Sequence, residues 1–391
     1  MQIADIEPFV VKMPNKVPYL GPIDGRVVPT ETGYFQRPPY PTFYSHSTEG
    51  LLVKITTDDG VIGWGEAQAP LAPEVLETII QRLFKPFYIG RDPFDVDVLW
   101  NMAYRGVHER GHFTSFALDA MAACDIALWD IMGKVSGQPV HKLMGGCYRE
   151  KAPCYISGLP RPTIDERVEL AAKWVEKGFS AIKMALGFGV ATDLDNLRAV
   201  REAVGDRVAL MNDAHWRYTL SDAIRLGREM EELGCYFLEA PLVPEDLPGL
   251  ADLARLLQID VAMGEERRTR HQFRDVLEMR AADIIQPDVG RTGLSEFRKI
   301  ANVAETYNVR VILHLGPAFG VYLAASIHAA VSMPNVPMME FQPSVFDKAN
   351  GILKSPIVCE AGHFAVPIGP GLGVEVAEEK LMPYVVRQAG C

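Results

Sequence analysis

The chain lacks the sequence features of several large protein classes. Its six cysteines include no CxxC pair and no dense framework, and it has no run of five or more basic residues. Such sparse cysteines are typical of a reduced, cytoplasmic protein rather than a disulfide-linked one. The formal net charge of −11, together with the missing basic run, argues against nucleic acid as a partner.

Long apolar runs are missing as well. The longest, around Val321–Met333, contains His328 and is too short to cross a bilayer. Asp5 and Glu7 lie near the start of the chain, where a signal peptide would be apolar, so we expect neither a secretory signal nor a membrane partner. What is present is 391 residues with 48% hydrophobic content, which is enough for two domains and a sizeable core.

The most informative feature is a set of three acids. Asp213, Glu239 and Glu265 each close a short apolar run, and each lies 26 residues after the one before it. That length fits one βα unit of an α/β barrel, so the three carboxylates would meet at the C-terminal ends of neighbouring strands. Like charges this close repel unless a cation joins them, and oxygen ligands suit Mg²⁺. A helix cap is the simpler explanation for any one such acid, but three in register disfavour it.

Short apolar runs alternate with amphipathic helical patterns from Cys154 onward. Strict alternation predicts parallel strands and a closed barrel. The eight candidate strands are Cys154–Gly158, Ala181–Leu186, Val208–Asp213, Tyr236–Pro241, Val261–Glu265, Asp283–Pro287, Val309–Leu315 and Met338–Phe341.

The regions on either side of the barrel have a different pattern. Met1–Pro14 and Gly50–Trp64 are predicted to form strands, whereas Asn15–Glu49 has no periodicity and is predicted to fold over the barrel mouth as a functional loop. From Ile352 the chain returns to short strand-like pieces. We therefore predict an α/β protein, a modified (β/α)8-type TIM barrel with an α+β capping domain. The predicted parts are the N-terminal capping domain at 1–125, the barrel at 126–345, and a C-terminal segment at 346–391 that returns to the capping domain.

The ends of the candidate strands carry polar side chains where packing alone would favour Val, Ile or Leu. They are Lys183, Asp213 followed by His215, Glu239, Glu265, Asp288, His314 and Glu340. Asp288 and His314 end successive strands, so the carboxylate can bind one imidazole nitrogen and leave the other as a general base. A lone histidine is more often a satisfied core residue, but the acid on the adjacent strand favours the catalytic interpretation.

Seven segments follow one another in the order and spacing of a known family. They are CDIALWDIMGKVSGQPVHKLMGG, IKMAL, MNDAH, FLEAP, MGEE, QPDVGRTG and ILHL. Over nearly the whole chain the sequence resembles the enolase superfamily, and within it the mandelate racemase group. The resemblance implies a homo-oligomer that binds one Mg²⁺ per subunit and abstracts a proton α to a carboxylate. It also implies Asp213, Glu239 and Glu265 as Mg²⁺ ligands, Asp288 and His314 as the acid–base dyad, and Glu340 as a hydrogen-bond donor to the substrate carboxylate.

Two positions depart from the racemases. Where those enzymes carry a second lysine as a base, this chain has Ala185, which cannot move a proton. Racemisation through two opposed bases is therefore disfavoured, and Lys183 is left as the cationic partner of the substrate carboxylate. His215 replaces an amide, and Asp-x-His resembles the galactonate-type sugar-acid dehydratases, in which the histidine protonates the departing β-hydroxyl. The alternative is that His215 only caps the strand or packs against Trp216.

The resulting hypothesis is a Mg²⁺-dependent sugar-acid dehydratase, a hydro-lyase that forms a 2-keto-3-deoxy acid. The predicted substrate contacts are Lys183, Glu340, Tyr19, Arg26 and Gln68. One alternative is a racemase or epimerase of a 2-hydroxy acid, with His215 as the second base. Another is a non-catalytic binding protein on the same barrel. A cycloisomerase of the muconate type is disfavoured, because those enzymes rely on paired lysines.

Overall fold

The computed structural model describes residues 1–17, 21, 27–317 and 319–386. The N-terminal part contains the strands β1 (Ile3–Pro14), β2 (Tyr34–Arg37), β3 (Tyr40–Ser45), β4 (Ser47–Thr57) and β5 (Ile62–Ala67). The first, fourth and fifth form an antiparallel sheet, and the second and third form a separate hairpin. This hairpin lies in a segment that was predicted to be a loop, because strands so short carry too few residues to show a period of two.

Helices follow this sheet. They are α1 (Pro73–Ile79), α2 (Lys85–Tyr88), α3 (Val96–His108), α4 (Phe116–Ser136) and α5 (Val140–Leu143), with a π-helical turn at Ile80–Phe84. Of these, α4 is the longest and is buried along most of its length. Its apolar residues recur at intervals of three and four, the spacing that is typical of a helix.

Eight parallel strands form a closed barrel, as predicted. They are β6 (Lys151–Ser157), β7 (Ala181–Ala185), β8 (Ala209–Asp213), β9 (Phe237–Glu239), β10 (Asp260–Met263), β11 (Ile284–Ile285), β12 (Arg310–Val311) and β13 (Met339–Phe341). Neighbouring strands pair in chain order from β6 to β12, and β13 pairs with β6. A bridge between Leu313 and Met339 closes the ring.

Seven helices lie between the barrel strands. They are α6 (Ile164–Glu176), α7 (Val190–Val204), α8 (Leu220–Glu232), α9 (Leu247–Leu256), α10 (Arg270–Met279), α11 (Val289–Thr306) and α12 (Val321–Val331). In the described part of the chain, no helix combines the length and the apolar character that crossing a membrane requires.

The C-terminal segment contacts both parts of the molecule. It contains α13 (Phe346–Gly351), β14 (Cys359–Glu360), β15 (His363–Ala365), α14 (Glu378–Leu381) and a 3₁₀ turn at Met382–Tyr384. The β14–β15 hairpin pairs antiparallel with β6 of the barrel. The segment reaches β1 through Lys348 in α13, which donates to the Pro14 carbonyl at 2.8 Å, and through Val386, which donates a backbone hydrogen bond to Val10 at 2.9 Å. The domain boundaries given above stay predictions.

Helix α4 holds the N-terminal sheet, the barrel and the C-terminal segment together through buried carboxylates. Asp125 accepts a hydrogen bond from the backbone N–H of Ser295 in α11 at 2.9 Å. Asp130 accepts the N–H groups of Trp64 in β5 and Leu372 in the C-terminal segment, each at 2.9 Å. Because a buried carboxylate is costly unless it is hydrogen-bonded, these contacts fix where each element lies.

Two glycines let β5 approach α4 closely. A Cβ atom at Gly63 would lie 2.2 Å from the carbonyl oxygen of Ala127, and one at Gly65 would lie 1.9 Å from that of Ala123. Both obstacles are backbone atoms of a helix, which cannot move aside as a flexible side chain can. The sequence Gly-Trp-Gly is therefore a packing requirement.

The substitution Gly65→Ala tests this contact. We expect it to lower the free energy of unfolding by at least about 3 kcal/mol, because the methyl group overpacks a backbone contact. The matched control is Gly106→Ala in α3, where nothing lies within 4 Å of the added Cβ. There we expect a gain of about 0.5–1 kcal/mol from helix propensity. Urea unfolding followed by circular dichroism measures both, and equal midpoints for the two variants would contradict the packing argument.

A buried pair of histidines lies between α5 and α12. The Nδ1 atoms of His141 and His328 are 3.1 Å apart, and His328 Nε2 lies 3.0 Å from the carbonyl oxygen of Leu372. A carbonyl only accepts, so His328 carries a proton on Nε2. Burial lowers the pKa of both rings, that of His328 to about 4, so His328 is neutral near pH 7 and accepts at Nδ1 from His141.

Acid should weaken the fold through this pair. A histidine whose folded pKa lies below its unfolded value stabilises the fold above the unfolded pKa near 6.5, and that contribution is lost as the pH falls towards about 4. Between pH 7 and pH 5 the His328 contribution falls by about 2 kcal/mol. Urea unfolding at both pH values should show a smaller pH dependence in His328→Gln than in wild type. The control His363→Gln, at an exposed site, should leave that dependence unchanged. If the free energy of unfolding changed equally with pH in all three proteins, His328 would not be the source of the acid sensitivity.

Candidate active site

A cavity of about 320 Å³ lies at the C-terminal ends of the barrel strands. Most of the strand-end residues predicted from sequence line it: Lys183, Asp213, His215, Glu265, His314 and Glu340. They converge because parallel strands in a barrel all end at the same edge. Another part of the wall comes from residues 42–49 of the N-terminal region, so the segment predicted to fold over the barrel mouth does reach it.

Lys183 neutralises two of the carboxylates in the barrel mouth. It lies on β7 with 2% of its surface exposed, and its Nζ is 2.8 Å from both Glu239 oxygens and 2.9 Å from Glu340 Oε1. Burial alone would lower the pKa of Lys183, but the charges of Glu239 and Glu340 raise it well above its usual value. The ammonium group is therefore a permanent positive charge in the cavity floor.

Glu340 is surrounded by donors. Its carboxylate accepts hydrogen bonds from the Ser157 hydroxyl, from the Leu315 backbone N–H at 2.8 Å and from the Gln342 amide at 3.2 Å, in addition to the Lys183 ion pair. Such an arrangement stabilises an ionised carboxylate. In this state Glu340 accepts rather than donates, and its expected donation to a substrate carboxylate stays a prediction.

The three carboxylates predicted to bind metal end neighbouring strands. Asp213 and Glu239 lie opposite each other in the β8–β9 register, and Glu265 follows β10. Burial raises the pKa of Asp213 and of Glu239 to about 7 each, with Lys183 opposing the shift and neighbouring carboxylates adding to it. Glu265 differs: burial raises its pKa, but the adjacent His314 outweighs that and lowers it below the usual value.

These side chains pair with cations of the protein itself. Glu239 contacts Lys183, and Glu265 Oε2 lies 3.0 Å from His314 Nε2. Within the described residues, no three His, Cys, Asp or Glu side chains are arranged as a ready-made metal-binding group. The Mg²⁺ ligand set therefore stays a prediction.

The donor chemistry nevertheless fits a hard divalent cation. All three candidate ligands offer oxygen atoms, and neighbouring carboxylates add to the burial that raises the pKa values of Asp213 and Glu239, a repulsion that a cation would relieve. Gln286 donates its amide to Glu239 at 2.7 Å, while its buried Oε1 finds no hydrogen-bond partner among the described residues. A hydrated cation would bring donors for such an acceptor.

Asp288 and His314 make the predicted contact. Their Oδ2 and Nδ1 atoms are 2.6 Å apart, and Asp288 is fully buried at the start of α11, where its Oδ1 accepts the Gly290 N–H at 2.8 Å. The carboxylate thereby fixes the imidazole and turns Nε2 towards Glu265 and the cavity. Burial would lower the pKa of His314, but the charges of Glu265 and Glu340 raise it well above its usual value.

His215 faces the cavity for a reason that the sequence did not reveal. Strand alternation was expected to place it beside Asp213, but β8 ends at Asp213, and His215 and Trp216 have left-handed φ values of 49° and 57°. Its N–H donates to Asp213 Oδ1 at 2.9 Å, and its Nδ1 lies 3.1 Å from Asp213 Oδ2. Left-handed residues other than glycine cost energy and concentrate at functional sites.

The His215 ring is neutral and held from the N-terminal region. Burial lowers its pKa to about 4, and its Nε2 has no hydrogen-bond partner among the described residues. Tyr40 packs edge-on against the ring with centroids 4.8 Å apart, and donates its hydroxyl to the Leu186 carbonyl at 2.8 Å. These contacts leave one nitrogen of His215 free to face a bound molecule.

The remaining predicted contacts have different outcomes. Gln68 lines the cavity, where its Oε1 accepts from Arg291 Nε at 2.8 Å and its N–H donates to the Gly290 carbonyl at 2.9 Å. Tyr19 and Arg26 lie outside the described residues. Sequence reasoning passed over Arg291, although it stands in the motif QPDVGRTG, and Ser157, although it ends a barrel strand as the other site residues do.

Comparison with known proteins gives consistent results. Residues 166–380 match the family model described as enolase C-terminal domain-like, and residues 35–145 match the mandelate racemase / muconate lactonizing enzyme N-terminal domain. D-galactarolactone cycloisomerase of Agrobacterium fabrum is 35% identical, covering 85% of this chain and 90% of that protein. Arabinonate dehydratase of Saccharolobus solfataricus is 33% identical, covering 87% and 91%.

Solved structures agree with this result. A member of the enolase superfamily from Agrobacterium tumefaciens is 34% identical with a TM-score of 0.94, covering 99% of both chains. A racemase from Streptomyces coelicolor A3(2) with bound magnesium is 26% identical with a TM-score of 0.84, covering 98% of this chain and 100% of that one.

Removing the Lys183 charge should destabilise the protein in a pH-dependent way. Lys183→Met leaves two buried carboxylates without their cation, and we expect the free energy of unfolding to fall by about 3–5 kcal/mol at pH 8. A buried carboxyl group with a raised pKa lowers the free energy of unfolding as the pH rises and the group ionises. The destabilisation caused by Lys183→Met should therefore be smaller at pH 6 than at pH 8. The control is Lys173→Met, whose side chain is 66% exposed. Urea unfolding at both pH values measures the effect, and an identical loss at the two would contradict the charge argument.

Proposed function

Because the chain belongs to the mandelate racemase group of the enolase superfamily, we propose that it is a Mg²⁺-dependent dehydratase of sugar acids. The observation that carries the proposal is the Asp288–His314 pair, whose second imidazole nitrogen, Nε2, lies 3.0 Å from Glu265 in a cavity floored by strand-end carboxylates and Lys183. By name, one of the relatives compared above acts on a sugar acid and another on a sugar-acid lactone, which supports the substrate class.

Proton abstraction falls to His314. A proton α to a carboxylate is weakly acidic, and a base must be held close to it in its neutral form. Asp288 holds the ring through Nδ1, so Nε2 is the atom that takes the proton. In this state the Glu265 contact raises the pKa of His314, so the ring must give up both that contact and its proton before it can act as the base.

Negative charge then develops on the substrate carboxylate and must be offset. Lys183 is the protein's own positive charge in the cavity floor, next to Glu340. Asp213, Glu239 and Glu265 would hold Mg²⁺, whose charge would offset the charge that develops as the α-proton leaves. Glu340 would orient the carboxylate through the Lys183 ion pair.

Loss of the β-hydroxyl requires a proton. His215 presents an unpaired Nε2 to the cavity and is the candidate acid, although it must first gain a proton because burial keeps it neutral. The alternative is that His314 returns the proton it has abstracted. The enol that remains becomes a 2-keto-3-deoxy acid.

The neutral state of His215 supports a second candidate, the opening of a sugar-acid lactone by β-elimination. The first step is the same abstraction by His314, but the leaving group is a carboxylate, which departs without a proton. The 35% identical cycloisomerase acts on a lactone by name, which is consistent with this chemistry. Ala185, in place of a second lysine, disfavours a cycloisomerase of the muconate type, but the elimination described here requires no second lysine.

A screen of purified protein with Mg²⁺ against stereochemically complete sets of aldonates, aldarates and aldarolactones tests both candidates. We expect a few aldonate isomers to yield 2-keto-3-deoxy acids, trapped with semicarbazide. Activity should vanish with EDTA and fall by roughly 10²–10⁴-fold in His314→Asn, because the base is lost. The control His363→Asn, on an exposed residue, should be fully active.

The outcomes separate the alternatives. Turnover of lactones alone would establish the second candidate. Exchange of the α-proton in D₂O with inversion and no keto acid would show an epimerase. A His215→Asn variant that dehydrates at the full rate would show that His215 is not the acid. The proposal would be refuted if no compound of the three sets gave a product or exchanged its α-proton.

A further inference from the structure

The part of the cavity wall that comes from the N-terminal region is rich in neutral polar groups. It contains hydroxyl and amide side chains from the end of β1 and from β3 and β4. They are Asn15, Thr42, Tyr44, Ser45, Ser47 and Thr48. Such groups suit the hydroxyls of a polyol.

Among the described residues of this part of the wall, one is charged. Glu49 lines the cavity although only 2% of its surface is exposed. Its carboxylate accepts hydrogen bonds from the Tyr34 hydroxyl at 2.9 Å and from the Ser45 hydroxyl, and lies 3.3 Å from Lys12 Nζ. These three contacts hold the carboxylate in one position and stabilise its charge.

The compensating cation lies away from the cavity. Lys12 does not line it and is shared with Glu74, at 2.7 Å, so the three side chains together keep a net negative charge. Among the described residues that line the cavity, the lysine and arginine side chains are Lys183 on β7 and Arg291 in the first turn of α11, both in the barrel region. At the barrel end of the described wall these cations stand beside Asp213, Glu265 and Glu340, whereas on the N-terminal side Glu49 has no lysine or arginine beside it in the lining.

From this distribution we infer that Glu49 makes the site selective for sugar acids with a single free carboxylate. The inference rests on the proposed function and narrows its substrate class. The reacting carboxylate has cationic partners at the barrel end, whereas a second carboxylate at the far end of the molecule would meet Glu49. Like charges at a partly desolvated contact cost several kcal/mol. A hydroxymethyl group in that position donates a hydrogen bond to Glu49 instead.

Chemistry provides a matched pair of substrates for the test. An aldonate and an aldarate with the same configuration at C2 to C5 differ only at C6, which is a hydroxymethyl group in one and a carboxylate in the other. The configuration is taken from the best substrate of the screen. In wild type we expect kcat/KM for the aldonate to exceed that for the aldarate by roughly 10²-fold, because of the like-charge contact.

Glu49→Gln should lower the ratio of kcat/KM for the aldonate to kcat/KM for the aldarate. The amide keeps the shape of the side chain and removes its charge, so we expect the ratio to fall about tenfold or more, mainly through a lower KM for the aldarate. The matched control is Glu74→Gln, which removes the other partner of Lys12 without touching the cavity. It should leave the ratio unchanged, and thermal melting of both variants checks that they fold.

Several results would overturn the inference. One is a preference of the wild-type protein for the aldarate. Another is the same aldonate-to-aldarate ratio of kcat/KM in wild type and in Glu49→Gln. Equal changes in Glu49→Gln and Glu74→Gln would show an effect of Lys12 rather than of the cavity charge.

Equilibrium binding separates this inference from the proposed function. Calorimetry with His314→Asn and Mg²⁺ measures the affinity for both compounds without turnover. If the aldonate binds more tightly but wild type dehydrates neither compound, the inferred selectivity is supported and the proposed dehydratase activity is refuted. If both compounds bind with equal affinity and are dehydrated at equal rates, the proposed dehydratase activity is supported and the inferred selectivity is refuted.

Discussion

Charge balance in the barrel mouth is the constraint on which the site depends. Five carboxylates end neighbouring strands, and the protein offsets them with Lys183 and with His314, each of which contacts more than one of them. Burial raises the pKa of Asp213, and the charges of Glu265 and Glu340 add to that shift although Lys183 opposes it. An anionic substrate that enters such a cavity increases the imbalance, whereas a divalent cation reduces it. Binding of the two should therefore be thermodynamically coupled, each favouring the other.

The same constraint explains why so much of the site could be predicted from sequence. A charged residue at the end of an apolar run is unusual enough to be noticed, and the regular spacing of the barrel units places such residues together. The contact between Asp288 and His314 followed from that reasoning, because successive strands of a barrel are neighbours.

What the sequence could not show depends on backbone conformation and on distant contacts. The position of His215 results from two left-handed residues, and neither is a glycine that would have signalled the turn. Tyr40 reaches the His215 ring from a short hairpin, and Glu49 reaches the cavity from β4, in a segment whose composition has no period to detect. Such residues are placed by tertiary contacts, which a local pattern does not contain.

The N-terminal region also supports the loops that carry the dyad. Glu66 accepts the backbone N–H groups of Phe319 and Tyr322 at 2.6 and 2.8 Å, just beyond His314, and Gln68 binds the Gly290 carbonyl beside Asp288. Gly65 lets the same strand pack directly against the backbone of α4. Yet the cavity wall has two separate origins in the chain: everything up to Leu71 comes from the N-terminal region, and everything from Ser157 onward comes from the barrel region. A lineage of such enzymes can thus acquire new substrates through mutations in its first exposed loops, while the proton-transfer machinery is inherited unchanged.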